Sequence, residues 1–187
     1  MHNRFILTAF IFVVLLSAGA AIWVYMAPRP SVQNNQNTNN QTVVNTSVNS
    51  SSSSSVTVYL VKLNDNGESG MSVGCGDSLI PVERTTIAVG NEITKSLNVL
   101  FSLKKQIDAP TGLYNALYQS DLSVASAVIV DGRATVKLTG TMQLGGSCDD
   151  PRFAEQIRQT VLNVPGVDTT DITINNRTLD EATSGRG

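Results

Sequence analysis

A pair of alternating segments joined by two turn residues restricts the fold of this chain more than any other feature: SVASAVIVDGRATVKLTG, residues 123–140. Asp131 and Gly132 suit a type I′ turn, which closes a two-residue β-hairpin with both central residues at positive φ. The turn fixes the register of the hairpin and places Val130 opposite Arg133. On one face this register predicts three apolar pairs: Ile129 with Ala134, Ala127 with Val136, and Ala125 with Leu138. On the other face it pairs Val128 with Thr135 and Ser126 with Lys137. We therefore expect one face of the hairpin in the core and the other in water.

Elements before the hairpin predict an α+β domain. Residues 56–63 are rich in β-branched side chains and end at a turn cluster, which indicates a strand. Residues 85–89 are predicted as a short extended segment. A helix follows Asn91, its predicted N-cap, because apolar residues recur at the spacing of one helical face: Ile93, Leu97, Leu100 and Phe101. Residues 108–123 are expected to be irregular, because a proline and a glycine interrupt them.

A second helix is predicted from the stretch GGSCDDPRFAEQI, residues 145–157. Asp150 is the predicted cap, because its carboxylate can accept the free backbone N–H groups of the first turn, and Pro151 at the first helical position loses no hydrogen bond. Asp149 and Asp150 also lie at the positive end of the helix dipole. The predicted inward face consists of Phe153, Ala154, Ile157 and Val161, and the outward face of Arg152, Glu155 and Arg158.

A closing strand within residues 167–179 completes the order β-α-β-β-α-β. This order predicts a small mixed or antiparallel β-sheet with two helices packed on one face, because each helix must bury its apolar stripe against the sheet.

The N-terminal part of the chain is predicted to lie outside this domain. In residues 1–27 the stretch 5–27 is uncharged and apolar, and it is long enough to cross a bilayer as a signal-anchor helix. A cleaved signal peptide is the alternative, because residues 18–20 (AGA) form a small-residue cleavage pattern. Arg4 before the stretch favours a C-terminal part outside the cytoplasm. Residues 28–55 are built mainly from Asn, Gln, Ser and Thr and predict a disordered linker.

The two cysteines, Cys75 and Cys148, are predicted to form a disulfide. Their even count and their position beyond the predicted span favour a bridge, since disulfides persist in oxidising compartments. Closing a loop of this length would stabilise the fold by about 4 kcal/mol in the chain-entropy model. A reactive thiolate would need a general base, and the only histidine, His2, precedes the predicted span. A zinc site lacks ligands for the same reason, so we predict no metal and no cofactor.

The ordered set of segments resembles the GerMN domain of sporulation and spore germination proteins. The matching segments are VTVYLV at 56–61, LIPVERTT at 79–86, SLNVLFSL at 96–103, GLYNAL at 112–117, SAVIVDGRATVKLTG at 126–140 and FAEQIRQTVLNVPGVDTTDITINNRTL at 153–179. The resemblance implies a GerMN-like α+β domain over residues 56–180, followed by a flexible tail at residues 181–187. Members of the family are bacterial envelope proteins held by a lipid or a span, so the resemblance implies a single-pass protein of the cytoplasmic membrane. It also implies a ring-building or scaffold-type module with no known catalytic residues.

The sequence therefore predicts a non-catalytic interaction or scaffold module that contacts other envelope proteins or itself. Nucleic acid is not a predicted partner, because phosphate binding needs clustered cations and the formal net charge is −2. The alternative is a module for cell-wall glycan or a small ligand, with peptidoglycan as a candidate partner and a cleft near Tyr59, Tyr114 and Tyr118. An enzyme is not predicted, because no base or catalytic motif accompanies the candidate carboxylates Asp77, Asp149 and Asp150. The disulfide could bring Asp77 and Asp149 together, but we interpret them as solvated caps.

Overall fold

The computed structural model describes residues 53–184. The predicted span, most of the predicted linker and residues 185–187 lie outside this range. Within the described range no helix is both long and apolar enough to cross a membrane. The elements are, in order, β1 Ser54–Lys62, β2 Met71–Val73, β3 Asp77–Thr86, α1 Glu92–Ser102, β4 Asp121–Val130, β5 Arg133–Thr141, α2 Asp149–Leu162, β6 Thr169–Ile174, β7 Arg177–Thr178 and α3 Leu179–Ser184.

The strands form two sheets, where the sequence predicted one. The first sheet is antiparallel and has the order β1-β3-β2. The second has the order β4-β5-β6-β7 and is mixed, because β5 and β6 are parallel while the other neighbours are antiparallel. The predicted α+β class is confirmed, and the single sheet with two helices is corrected to two sheets and the helices α1, α2 and α3.

Strand β3 was the main element missed, since only a short extended segment was expected at residues 85–89. The strand contains Pro81, which argues against a central strand because proline cannot donate to the ladder. In the structure β2 pairs only with Asp77, Ser78 and Leu79 of β3. Pro81 lies beyond this pairing and faces Tyr59 of β1 alone. The proline is tolerated because β3 has a neighbouring strand on only one side at that point.

The hairpin β4–β5 has the turn that the sequence predicted, with φ of 47° at Asp131 and 76° at Gly132. The register pairs Val130 with Arg133 and Ala127 with Val136, but the predicted pair of Ala125 and Leu138 is wrong. A β-bulge lies between Val124 and Ser126, so Leu138 pairs with Val124. Because a bulge inserts one extra residue, it turns Val124 toward the core face and leaves Ala125 exposed.

Helices α1 and α2 join the two sheets in one hydrophobic core. Both helices pack against β1, and α1 also packs against β4 while α2 packs against β6. Asn91 caps α1, because its side-chain oxygen accepts a hydrogen bond from the Thr94 backbone N–H at 2.9 Å. The predicted apolar faces are buried: Ile93, Leu97, Leu100 and Phe101 of α1, and Phe153, Ala154, Ile157 and Val161 of α2.

The segment between α1 and β4 is largely irregular, as expected, although β4 begins at Asp121 within the range 108–123. It is tied to the edge of β1 by two backbone hydrogen bonds between Tyr114 and Val61, of 2.7 and 2.9 Å. These bonds hold the Tyr114 side chain at the N-terminal end of α2, where its hydroxyl meets Asp149.

Both ends of the described range are more ordered than the sequence predicted. β1 begins at Ser54, within the stretch assigned to the linker. α3 extends to Ser184, so residues 181–184 are helical where a flexible tail was expected. Leu179 and Ala182 of α3 are buried, and this apolar contact holds the short helix against α2.

Candidate functional site

The N-terminus of α2 differs from its predicted arrangement. The helix begins at Asp149, and its N-cap residue is Cys148, which makes no side-chain cap hydrogen bond. Asp150 is therefore not the cap and lies half-exposed. Pro151 still lies in the first turn, where a missing N–H loses no helical hydrogen bond. The adjacent carboxylate, Asp149, is buried and accepts hydrogen bonds from the Gly145 backbone N–H at 3.0 Å and from the Tyr114 hydroxyl at 2.8 Å.

Arg152 lies between the two acidic residues that the sequence treated as solvated caps. Its Nε and Nη2 atoms contact Asp77 Oδ2 at 2.6 and 2.5 Å, and its Nη1 donates to Asp149 Oδ1 at 3.1 Å. Asp77 and Asp149 are buried, and the Arg152 side chain is only 15% exposed. The predicted outward orientation of Arg152 and the solvated-cap interpretation of both acids are therefore wrong. The physical reason is that two buried carboxylates need a cation to offset their desolvation.

The surroundings of Arg152 and Tyr114 raise the pKa values of both side chains, which are protonated at neutral pH. Burial alone would lower the pKa of Arg152, but the hydrogen bonds to Asp77 and then to Asp149 raise it. Burial, followed by the hydrogen bond to Asp149, raises the pKa of Tyr114 to about 12. The Arg152 guanidinium carbon also lies 5.3 Å from the centroid of the Tyr114 ring, within the range of a cation–π contact. Tyr114 is therefore a neutral phenol that donates to Asp149.

The disulfide links the same parts of the fold as this cluster. Cys75, in the turn between β2 and β3, is bonded to Cys148 at the start of α2, with a Cα–Cα distance of 5.8 Å. The Arg152–Asp77 ion pair joins the same α2 N-terminus to the beginning of β3. We call these five residues, Cys75, Cys148, Asp77, Asp149 and Arg152, the clamp.

A cleft of about 610 Å³ lies beside the clamp. Its walls include Gln106, Tyr114, Tyr118, Gln119, Leu144 and Arg152. Of the three tyrosines predicted to surround a cleft, Tyr114 and Tyr118 therefore lie together. Tyr59 lies elsewhere: its hydroxyl is 3.4 Å from the Asn163 side-chain oxygen.

Gln156 supports the wall of the cleft and was missed in the sequence. It is fully buried on α2, where its side-chain oxygen accepts from the Ala116 N–H at 2.8 Å and its amide donates to the Tyr59 carbonyl at 2.9 Å. One side chain thus fixes both β1 and the segment that carries Tyr114. A glutamine within the inward face of an amphipathic helix was the available signal, because buried polar groups are almost always hydrogen-bonded.

The carboxylates of the clamp are joined in one ion-pair network. Asp77 and Asp149, the candidate catalytic acids that the fold brings together, both accept from Arg152, and Asp77 also accepts from the Asn64 N–H at 2.8 Å. Asp150 takes no part in this network. Among residues 53–184, no group of three or more His, Cys, Asp or Glu side chains is arranged to hold a metal ion.

The second notable surface is apolar and lies at the hairpin. Val128, Ile129 and Val130 are exposed at the end of β4. Val128 and Val130 lie on the face predicted to be in water, whereas Ile129 lies on the face predicted to be in the core and is nevertheless 39% accessible. Two further exposed residues, Ile87 and Val89, belong to the loop that leads into α1, and Val89 is 86% accessible. The Asn91 amide donates to the Ala127 carbonyl at 2.7 Å, which holds this loop beside β4. We call Ile87, Val89, Val128, Ile129 and Val130 the apolar patch.

Comparisons with known proteins find a matching family model and similar solved structures. The family model Germane, described as "Sporulation and spore germination", matches residues 57–180. The tandem GerMN domains of the sporulation protein GerM from Bacillus subtilis match with 18% identity and a TM-score of 0.48, covering 70% of this chain and 42% of that one. The chain thus spans less than half of that tandem structure. The first GerMN domain of GerM matches with 14% identity and a TM-score of 0.41, covering 67% of this chain and 85% of that one. No curated protein matches the chain.

Proposed function

Because this chain belongs to the Germane family of sporulation and spore germination domains, we propose that it is a non-catalytic interaction module, tethered to the bacterial cytoplasmic membrane and displayed outside the cytoplasm. The observation that carries this proposal is the apolar patch. Single exposed apolar residues are common on protein surfaces, but here five large aliphatic side chains are exposed on the edge strand β4 and on the loop held beside it, which favours an interaction site.

The partner that this patch fits is a second copy of the chain. In a two-fold dimer the same surface meets itself, so the surface must be compatible with its own charges. Residues 122–130 carry no charge. Asp131 and Arg133, at the turn, have opposite charges, so Asp131 of one copy can pair with Arg133 of the other. Membrane tethering supports association as well, because it raises the effective concentration of the copies.

The clamp supports the other parts of the proposal. A disulfide is typical of proteins outside the cytoplasm, where thiols are not kept reduced. The two buried carboxylates are occupied by Arg152, which supports a structural role for them. The uncharged stretch at residues 5–27 supports the membrane tether.

The test is site-specific photo-crosslinking of the full chain in membranes of its native host. A photoreactive residue at Val130 should give a covalent dimer, and a Val128→Asp substitution should remove that product. The matched control is the same photoreactive residue at Lys105, an exposed residue that lies outside the apolar patch. A Val130 product that contains a different protein would contradict self-association, and equal products from both positions would contradict the apolar patch as an interface.

The alternative predicted from the sequence, a module for cell-wall glycan or a small ligand, would use the cleft and not the apolar patch.

A further inference from the structure

We propose that the cleft beside the clamp binds an uncharged sugar or oligosaccharide, a function separate from association through the apolar patch. The cleft volume of about 610 Å³ falls within the range of about 300–1,000 Å³ that is usual for small-molecule sites. The volume alone does not indicate which class of ligand binds. The chemical groups of the walls and their charge restrict the possible classes.

The walls favour a ligand with many hydroxyl or amide groups. Most small-molecule pockets are lined mainly by apolar side chains. In this cleft the apolar side chain of Leu144 lies beside polar side chains that carry amide, phenol and guanidinium groups. The Gln119 amide donates to the Tyr118 hydroxyl at 2.7 Å, so the Tyr118 hydroxyl can donate its own proton to a ligand. Gln106 and Gln119 are exposed, and each amide offers both a donor and an acceptor.

The charge of the clamp favours a neutral ligand over an anion. Arg152 is bound by two carboxylates, Asp77 and Asp149, so the three groups together carry one net negative charge. An anion that approached Arg152 would meet these carboxylates as well, and like charges in a cleft oppose binding. Of the five N–H donors of the guanidinium, the contacts to Asp77 and Asp149 involve one on each nitrogen. The remaining donors suit a neutral carbonyl or hydroxyl oxygen.

The cleft is also held in place before a ligand arrives. The disulfide fixes the wall at Cys148, and the hydrogen bonds of Tyr114 to Val61 and Asp149 fix the wall at Tyr114. A preorganised site loses less conformational entropy on binding, which matters for sugars because their individual contacts are weak.

The experiment is isothermal titration calorimetry, in which an oligosaccharide is titrated into the full chain in detergent. The probe is the trimer of N-acetylglucosamine, which is uncharged and rich in hydroxyl and amide groups. A trimer of galacturonic acid, which carries carboxylates, is the comparison ligand. We expect saturable binding of the neutral trimer with a Kd below ~1 mM and binding of the acidic trimer at least about tenfold weaker.

Two matched variants locate the site. Tyr118→Phe removes one hydroxyl from the cleft and should weaken binding of the neutral trimer about fivefold or more. Tyr59→Phe removes one hydroxyl outside the cleft and should leave the Kd within about twofold. Val128→Asp should change dimer formation without changing sugar binding, which separates this proposal from the proposed function. The proposal is overturned by no saturable binding of the neutral trimer, by equal binding of the acidic trimer, or by equal effects of Tyr118→Phe and Tyr59→Phe.

Discussion

The clamp and the hairpin turn are two regions of one domain that are held in opposite ways. In the clamp, a disulfide and a buried guanidinium join segments that are distant in sequence, since Arg152 and Asp77 are 75 positions apart. At the hairpin, Asp131 and Gly132 join two adjacent strands through local backbone geometry, and the apolar side chains next to them remain exposed. In this fold, covalent and ionic links between distant segments lie beside the cleft, whereas the hairpin turn depends on local φ preferences and leaves apolar side chains exposed.

The largest expected effect comes from removing the disulfide. Replacing Cys75 and Cys148 together by alanine should lower the free energy of unfolding by about 4 kcal/mol, because the bridge closes a long loop in the unfolded chain. The sequence separation is 73 residues. Urea unfolding followed by circular dichroism measures this change. Adding a reductant to the unmodified chain should give a similar loss, and adding it to the variant should change nothing. A loss below about 1 kcal/mol would mean that the disulfide is not what holds the clamp together.

The next effect tests the ionic half of the clamp. Arg152→Met keeps most of the side-chain volume but leaves two buried carboxylates without a cation, so we expect a loss of about 3 kcal/mol in the free energy of unfolding. Arg158→Met is the matched control on the same helix. Arg158 pairs with Glu155 and Asp180 near the surface, and exposed pairs contribute about 0–1 kcal/mol. Equal losses in the two variants would remove the distinction between the clamp and an ordinary surface ion pair.

These two regions also show which parts of the fold could be predicted from the sequence. The hairpin turn was predictable because Asp131 and Gly132 define it through local φ preferences. The pairing of Cys75 with Cys148 could be predicted from the even number of cysteines and from the oxidising compartment expected for this part of the chain. The role of Arg152 was not predictable, because helical periodicity describes only neighbours on the same helix and Asp77 lies on a distant strand. The bulge at Ala125 was missed for a related reason: the register was extended from the turn on the assumption of an uninterrupted ladder.

Other parts of the cleft depend on long-range contacts that no local pattern indicates. Tyr114 and Tyr118 are four positions apart, but they face the cleft because Tyr114 pairs with Val61 of β1 and Gln156 holds the Ala116 backbone. Tyr59, which looked equivalent in the sequence, points toward Asn163 at the C-terminal end of α2. Of the three tyrosines that the sequence suggested for a cleft, two therefore line the same cleft.

The smallest of the three effects comes from the hairpin and asks whether the two regions are independent. Gly132→Val should lower the free energy of unfolding by about 1–2 kcal/mol, because valine disfavours the positive φ of 76° at this position. A Cβ atom there would also contact the Asp168 carboxylate. Asp131→Asn is the control, since asparagine tolerates positive φ and should change stability by less than about 0.5 kcal/mol.

NMR spectra of Gly132→Val test whether a change at the hairpin turn affects the clamp. If the hairpin turn and the clamp are independent, Gly132→Val should shift resonances of β4, β5 and the adjacent β6 and leave the Arg152 Nε–H resonance unchanged, because that proton reports the ion pair with Asp77. Local disturbances of this kind are expected where stability differs between parts of one structure. If the Arg152 resonance moves together with those of the hairpin, strain at the turn reaches the clamp through β5, β6 and α2. The apolar patch and the cleft would then be coupled surfaces, and binding at one should alter affinity at the other.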